Sequence, residues 1–317
     1  MTVYMHDMDI LQNLISDDLL AWEKSLDERP DNFLIKLSDD CISELDEKKD
    51  NLQSCEIDSF PILQKKILEL KKQCLILGNG FFILDGTCFA HFSDECVKEV
   101  FRIISTSLGQ LYVQNIKNEK FVIITDEGKS MKTGGRYHQT KEGGSFHTDS
   151  PQWSQVPDFV GLLCIRPAKI GGKSKFVSAY TIHNQIVKSH PNFLHTLYEN
   201  FHFDKRSEFK ESESPTTFEP IFKYENSELK FRYLRNYIDD GQKLVNQPLT
   251  NEQNHILDEL DKIIHDEKFA VSYDLQKFDM SFFNNHRIVH GRTSFEDFTD
   301  HDKKRYMVRV WIKDILN

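Results

Sequence analysis

From about residue 110 onward the chain is a succession of short β-forming runs broken by turns, and this texture restricts what it can fold into. Lys120 to Thr125, Phe159 to Ile165, Lys175 to Ser178, Leu229 to Leu234, Ala270 to Tyr273, Ser281 to Phe283 and Tyr306 to Ile312 are rich in β-branched and aromatic residues. Strands this short and this many imply a sandwich or a barrel. Phe81 to Leu84 is a further strand. Helical patterns flank these runs at Ile182 to Val187 and Asn251 to His265. Ser93 caps another helix whose apolar face is Val97, Val100, Phe101, Ile104 and Leu108, and Gly109 stops it.

Residues 1 to about 75 read as mostly helical. An apolar stripe lies at Ile10 to Ile15, a helix start at Ser16 to Asp18 leads into Leu19 to Trp22, and Ser59 with Pro61 opens a third helical pattern. We therefore expect an N-terminal helical segment, 1–75, packed on a single domain, 76–317. The charged stretch Lys205 to Ser227 has little strand pattern and reads as a long loop, of the kind used as a lid or left in solvent.

With 24 phenylalanines among 317 residues, a sizeable core is available. The net charge of −10 argues against a nucleic-acid partner, which calls for a basic face. No run approaches the ~20 apolar residues of a membrane span. The acidic start, Met1 to Asp9, lacks the features of a secretory signal. The cysteines, Cys41, Cys55, Cys74, Cys88, Cys96 and Cys164, form no Cys-x-x-Cys pair, so a reducing cytoplasm is expected.

The chemistry must be sought among histidines and acids. Thirteen histidines and 50 acidic residues would give about two His-x-acid triplets by chance, and the chain has three, so the triplet alone means nothing. His265-Asp266-Glu267 ends a helical pattern, where residues two apart do not face each other. His202-Phe203-Asp204 suits a strand with its polar pair in water. His147-Thr148-Asp149 comes after a glycine pair and precedes Pro151, and on extended backbone its imidazole and carboxylate share a face. Downstream, His286 and His290 come after an Asn-Asn turn signal, and His290 is preferred because of a pair of arginines C-terminal to it. Fifteen residues on, Arg305 and Arg309 share a face of an apolar strand. A buried arginine is costly unless it meets an anion, and its fork suits a carboxylate. Upstream, Gly171-Gly172 makes a turn into a strand that begins near Ser174.

Taken in order, Phe146 to Asp149, Gly161 to Ile165, Gly171 to Ser174, Asn284 to Arg292 and Arg305 to Arg309 resemble the taurine dioxygenase-like (TauD/TfdA) family of Fe(II)/2-oxoglutarate-dependent oxygenases, which includes γ-butyrobetaine hydroxylase and clavaminate synthase-type enzymes. The resemblance implies an α+β fold with a mainly β core, a double-stranded β-helix (jelly roll), flanked by helices. It implies that His147, Asp149 and His290 hold iron, and that Arg305 and Ser174 bind the distal carboxylate of 2-oxoglutarate. Serine there departs mildly from the family's usual threonine. Arg309 serves either that carboxylate or the substrate. The implied reaction consumes O2 and 2-oxoglutarate, releases succinate and CO2, and hydroxylates a C–H bond of a small molecule such as an amino acid or a derivative. Trp153, Gln152, Tyr137, His138 and Arg292 are expected near the substrate. The competing readings are an oxygenase for protein side chains, a zinc hydrolase built on the same ligands, and a jelly roll that only binds.

Overall fold

Period-two burial sorts the core strands into two sheets, with short two-stranded pairs beside them. This computed structural model describes residues 9–115, 117–130, 139–143, 146–209 and 211–315. The larger sheet runs Leu34–Ile35, Phe81–Leu84, Met280–Asn284, Phe159–Arg166, Tyr306–Lys313, Gln110–Tyr112, and Phe121–Ile124 also pairs with Tyr306–Lys313. Only the first of these pairings is parallel. A smaller antiparallel sheet runs Ala270–Tyr273, Ser174–Ser178, Ile288–Arg292.

Alternation along each strand fixes three apolar layers. Phe81, Ile83, Val160, Phe283, Met307 and Trp311 point inward from the larger sheet and meet Phe176, Val271 and Ile288 of the smaller one. Phe81 and Phe176 stack across that gap with centroids 4.8 Å apart. The alternate residues Phe82, Leu84, Leu163, Phe282, Val308 and Val310 face outward, onto the helices Asp39–Asp46, Pro61–Leu70 and Asp94–Leu108. Val177, Ala270 and Val289 turn from the smaller sheet toward the helices Ala179–Ser189, Phe193–Tyr198 and Asn251–Ile264. Each fully buried Phe contributes about 1.5–3 kcal/mol by leaving water. Gly161 is required mid-strand, because a Cβ there would lie 2.7 Å from Phe282 and 2.8 Å from Val310.

The expected helix from Ser16 to Trp22 does not form. The amide of Leu20 reaches back to Asp17 O in a single turn. The carbonyls of Leu20 and Trp22 accept instead from the hydroxyls of Ser178 and Thr181, and the Trp22 indole donates to Asn79 O at 2.7 Å. Tertiary partners thus take the groups a helix would have used. Leu34–Ile35 also adds a strand to the larger sheet from within the segment read as helical. The stretch Lys205 to Ser227 is likewise not all loop, since Thr216–Pro220 pairs with Asn200–Asp204 and Phe222–Glu225 with Glu228–Phe231. Among the described residues, no helix is long and apolar enough to cross a membrane.

Candidate active site

One antiparallel bridge builds the centre of the site. His147 and His290 exchange backbone hydrogen bonds, both 2.9 Å, which sets their rings 4.4 Å apart. Asp149, two residues on, returns to the same side. Its backbone is held at both ends by Asn285, whose Oδ1 accepts from the Asp149 amide at 2.7 Å and whose Nδ2 donates to the Asp149 carbonyl at 2.9 Å. Thr148 points the other way and exchanges hydrogen bonds with the backbone of Tyr233. Asp149 Oδ1 then lies 3.5 Å from His147 Nε2 and 3.8 Å from His290 Nε2. Among the described residues this is the one cluster of three or more His, Cys, Asp or Glu close enough to hold a metal, with ligand atoms all within 4.8 Å.

The electrostatics favour the donor forms. Burial alone would raise the Asp149 carboxyl, but Arg309 and the two histidines hold it well below the usual carboxylate range. Burial, reinforced by His147, pushes the His290 imidazole down to about 3, so it is neutral near pH 7. One carboxylate and two imidazoles on one side of a cleft form the ligand set of non-haem iron oxygenases, with the other positions left open.

The cleft has an empty volume of about 1360 Å³, part of it open to solvent, and both sheets line it. Ser174 and Phe176 face it from one strand, and His290 and Arg292 from the strand paired with it. Arg305, Arg309 and Trp311 face it from the larger sheet. The Arg305 guanidinium lies 5.2 Å from the Phe295 ring, and that of Arg292 lies 4.5 Å from the same ring. Gly172, at φ +77°, leaves room beside Arg305, whose Nε would be 3.4 Å from a Cβ there. Arg292 also donates to the carbonyls of Thr140 and Glu142, so it ties down the segment preceding His147. Arg309 sits 3.4 Å from Asp149 Oδ1 and donates to Gln114 Oε1 at 2.8 Å.

Gln152 lines the cleft with its Oε1 buried and, among the described residues, without a hydrogen-bond partner, and so does Ser150 with its Oγ. Trp153 does not line it. Its ring packs edge-on behind Trp311 at 5.4 Å and its indole donates to Glu208. Tyr137 and His138 lie outside the described residues. His286 turns away from the cleft onto Asp158 at 2.9 Å, while His202 contacts Thr216 and His265 its own helix end at Asp261 O. Trp311, Gln114 and Asn285 were missed by the sequence reading. Trp311 was within reach, since it continues the alternation of Arg305 and Arg309; Gln114 and Asn285 have no such signal.

The comparisons agree with this geometry. The model of the family described as "Taurine catabolism dioxygenase TauD, TfdA family" matches residues 56–311. FR-33289 synthase of Streptomyces rubellomurinus is 29% identical over 265 residues, 81% of this chain and 76% of that protein. A taurine hydroxylase-like protein, SAT17, of Stachybotrys chartarum is 25% identical over 169 residues, 52% of this chain and 41% of that one. Among solved structures, asparagine oxygenase in complex with Fe(II), 2S,3S-3-hydroxyasparagine and succinate superposes with a TM-score of 0.69 at 16% identity, covering 89% of this chain and 93% of that one. The non-haem iron oxygenase OrfP in complex with Fe and α-ketoglutaric acid gives 0.63 at 13% identity, covering 89% and 95%.

Proposed function

Because the chain belongs to the taurine catabolism dioxygenase TauD, TfdA family, and is thereby a 2-oxoglutarate-dependent non-haem iron dioxygenase, we propose that it hydroxylates a C–H bond of a small molecule, an amino acid or a derivative, at the cleft between its two sheets. His147, Asp149 and His290 would hold the iron. The observation that carries this reading is the convergence of those three side chains on a cleft that also contains Ser174 and Arg305. When bound, iron and 2-oxoglutarate together activate O2, with the keto acid lost as succinate and CO2.

The chain's own residues do the rest. Arg305 is the buried cation that meets the distal carboxylate, and the Ser174 hydroxyl adds a hydrogen bond. Asp149 supplies one negative charge and His290 a neutral nitrogen, so no proton need be displaced there before metal binds. Phe176, Leu162 and Trp311 give the cleft apolar walls that keep water from the reacting carbon. Gln152 and Ser150 offer buried polar atoms to a polar substrate, and Arg206 and Glu208 of the loop after Asn200–Asp204 stand at the same cleft as its lid. Structural neighbours crystallised with 3-hydroxyasparagine and with (3S)-hydroxy-L-Arg support an amino-acid-like substrate. A cytoplasmic location goes with the dispersed cysteines.

The test is to incubate the protein with Fe(II), 2-oxoglutarate and a panel of amino acids and derivatives, and to measure succinate. We expect release that depends on one compound class and vanishes in His147→Ala. Succinate release indifferent to every compound and to that substitution would refute the reading.

A further inference from the structure

Asp149 has two oxygens, and the structure treats them differently. Oδ1 faces His147 Nε2, His290 Nε2 and Arg309. Oδ2 accepts a 2.6 Å hydrogen bond from the Trp311 indole N–H. Asp149 is 2% exposed and Trp311 4%, so water cannot readily take over that contact. An indole nitrogen only donates, which fixes the sense of the bond and favours a carboxylate over a neutral partner.

The indole is itself held. Its strand is paired on both sides, with Val160 opposite on one and Tyr112 on the other. Trp153 packs edge-on at 5.4 Å, and the Arg309 guanidinium lies 4.8 Å from its ring. At the other end of the bond, Asn285 pins the Asp149 backbone on both its amide and its carbonyl. The backbone of one partner and the ring of the other are thus both held in place.

Resting on the iron-ligand reading above, we infer that Trp311 is a positioning residue: by committing Oδ2, it offers a metal only Oδ1 of Asp149. The effect lies in the number of positions left on the metal. An octahedral ion held by two imidazoles and one carboxylate oxygen keeps three positions, two for a chelating keto acid and one for a gas molecule. A carboxylate free to rotate and bind through both oxygens takes one of those three. Trp311 therefore protects the open position rather than the affinity for metal. Outer partners of metal ligands commonly tune sites in this way.

The experiment uses the full chain under nitrogen, with Fe(II), 2-oxoglutarate and nitric oxide as a stand-in for dioxygen. Trp311→Phe removes the N–H and keeps an aromatic ring. A second variant carries benzothienylalanine at position 311, which replaces the N–H by sulfur with almost no change of shape and covers the case in which phenylalanine fails to fold. Three readouts are taken: Fe(II) affinity, the visible absorption of the Fe(II)–2-oxoglutarate complex, and nitric oxide affinity by EPR. We expect nitric oxide affinity to fall about 10-fold or more, in the range that supporting residues command. Fe(II) affinity should change by less than that, and the absorption band should move. Trp311→His, which can restore a ring N–H, should recover part of the nitric oxide affinity. A merely structural role would lower all affinities together and leave the band in place. That result, or nitric oxide binding unchanged in the folded variants, overturns the inference. Failure of the unmodified chain to bind Fe(II) and 2-oxoglutarate would instead overturn the ligand reading on which it rests.

Discussion

His286 and His290 stand four positions apart and each faces an aspartate, yet the two sites are opposites. At His286, the imidazole reaches Asp158 at 2.9 Å, Lys313 adds a contact at 3.1 Å, and the Asp314 amide donates at 2.8 Å. Asp314 in turn meets the buried Lys71 at 2.7 Å. The charges there satisfy one another, and the His286 and Asp158 side chains keep 19% and 20% of their surface exposed. At His290 the corresponding contact is 3.8 Å, the exposures are 12% and 3%, and the carboxylate oxygen that meets Arg309 at 3.4 Å also faces two ring nitrogens, at 3.5 and 3.8 Å. The first site is a lock; the second brings three donor atoms within 4.8 Å of one another, close enough to hold a metal. Residue type is the same in both, so what separates them is whether the imidazole closes on its aspartate.

The contrast breaks most sharply at the aspartates. Asp149→Ala should weaken Mn(II) binding, monitored by EPR, by more than about 100-fold, the most that residues merely supporting a ligand usually cost. Asp158→Ala should leave that binding unchanged. Metal affinity lost equally in both variants would erase the distinction. Next in size, Arg305→Ala should raise KM for 2-oxoglutarate by about 10- to 100-fold, the value of one or two charge-assisted hydrogen bonds, with less effect on kcat at saturation. Unchanged KM would remove Arg305 from the co-substrate site.

The lock should show itself in stability. Burial opposes the charge on Asp158, but His286, the Asp314 amide and Lys313 outweigh it and hold its pKa at about 2. A depressed carboxyl stabilises the fold at pH values above its ordinary range and loses that contribution as pH falls toward 2. Asp158→Asn should therefore cost roughly 2 kcal/mol in urea unfolding at pH 7, and the gap from the unmodified chain should close progressively below pH 4. A gap independent of pH would mean that the pair is not what stabilises this corner. The smallest effect expected is at Ser174. Removing its hydroxyl in Ser174→Ala should raise KM for 2-oxoglutarate about 5-fold, whereas Ser174→Thr should leave it nearly unchanged.

Much of this arrangement was legible in the sequence because strands advertise their faces. The alternation from Arg305 through Tyr306–Lys313 separates Arg305, Met307, Arg309 and Trp311 from Val308, Val310 and Ile312, and the two groups do lie on opposite faces. The ordered motifs gave the family. Contacts that depend on register between distant segments were not legible. Nothing in the neighbourhood of Asn285 announces that its amide brackets Asp149, 136 residues away. The position of Trp153 depends on a related feature: it stands close to Asp149 in sequence, but the chain turns at Ser150, where φ is +56°, and carries it behind Trp311. The false helix at Ser16 to Trp22 failed because Ser178 and Thr181 supply the hydrogen bonds that local propensity assigned to a helix.

We propose that the chain distinguishes its two histidine–aspartate sites by geometry and uses one of them for metal. The decisive experiment titrates Fe(II) with 2-oxoglutarate under nitrogen into the unmodified chain, His286→Ala and His290→Ala, and records visible absorption. One equivalent of iron should saturate the first two, and His290→Ala should develop no band. A folded His290→Ala chain that still takes up one equivalent, or a folded His286→Ala chain that takes up none, would show that geometry does not divide the two sites in this way.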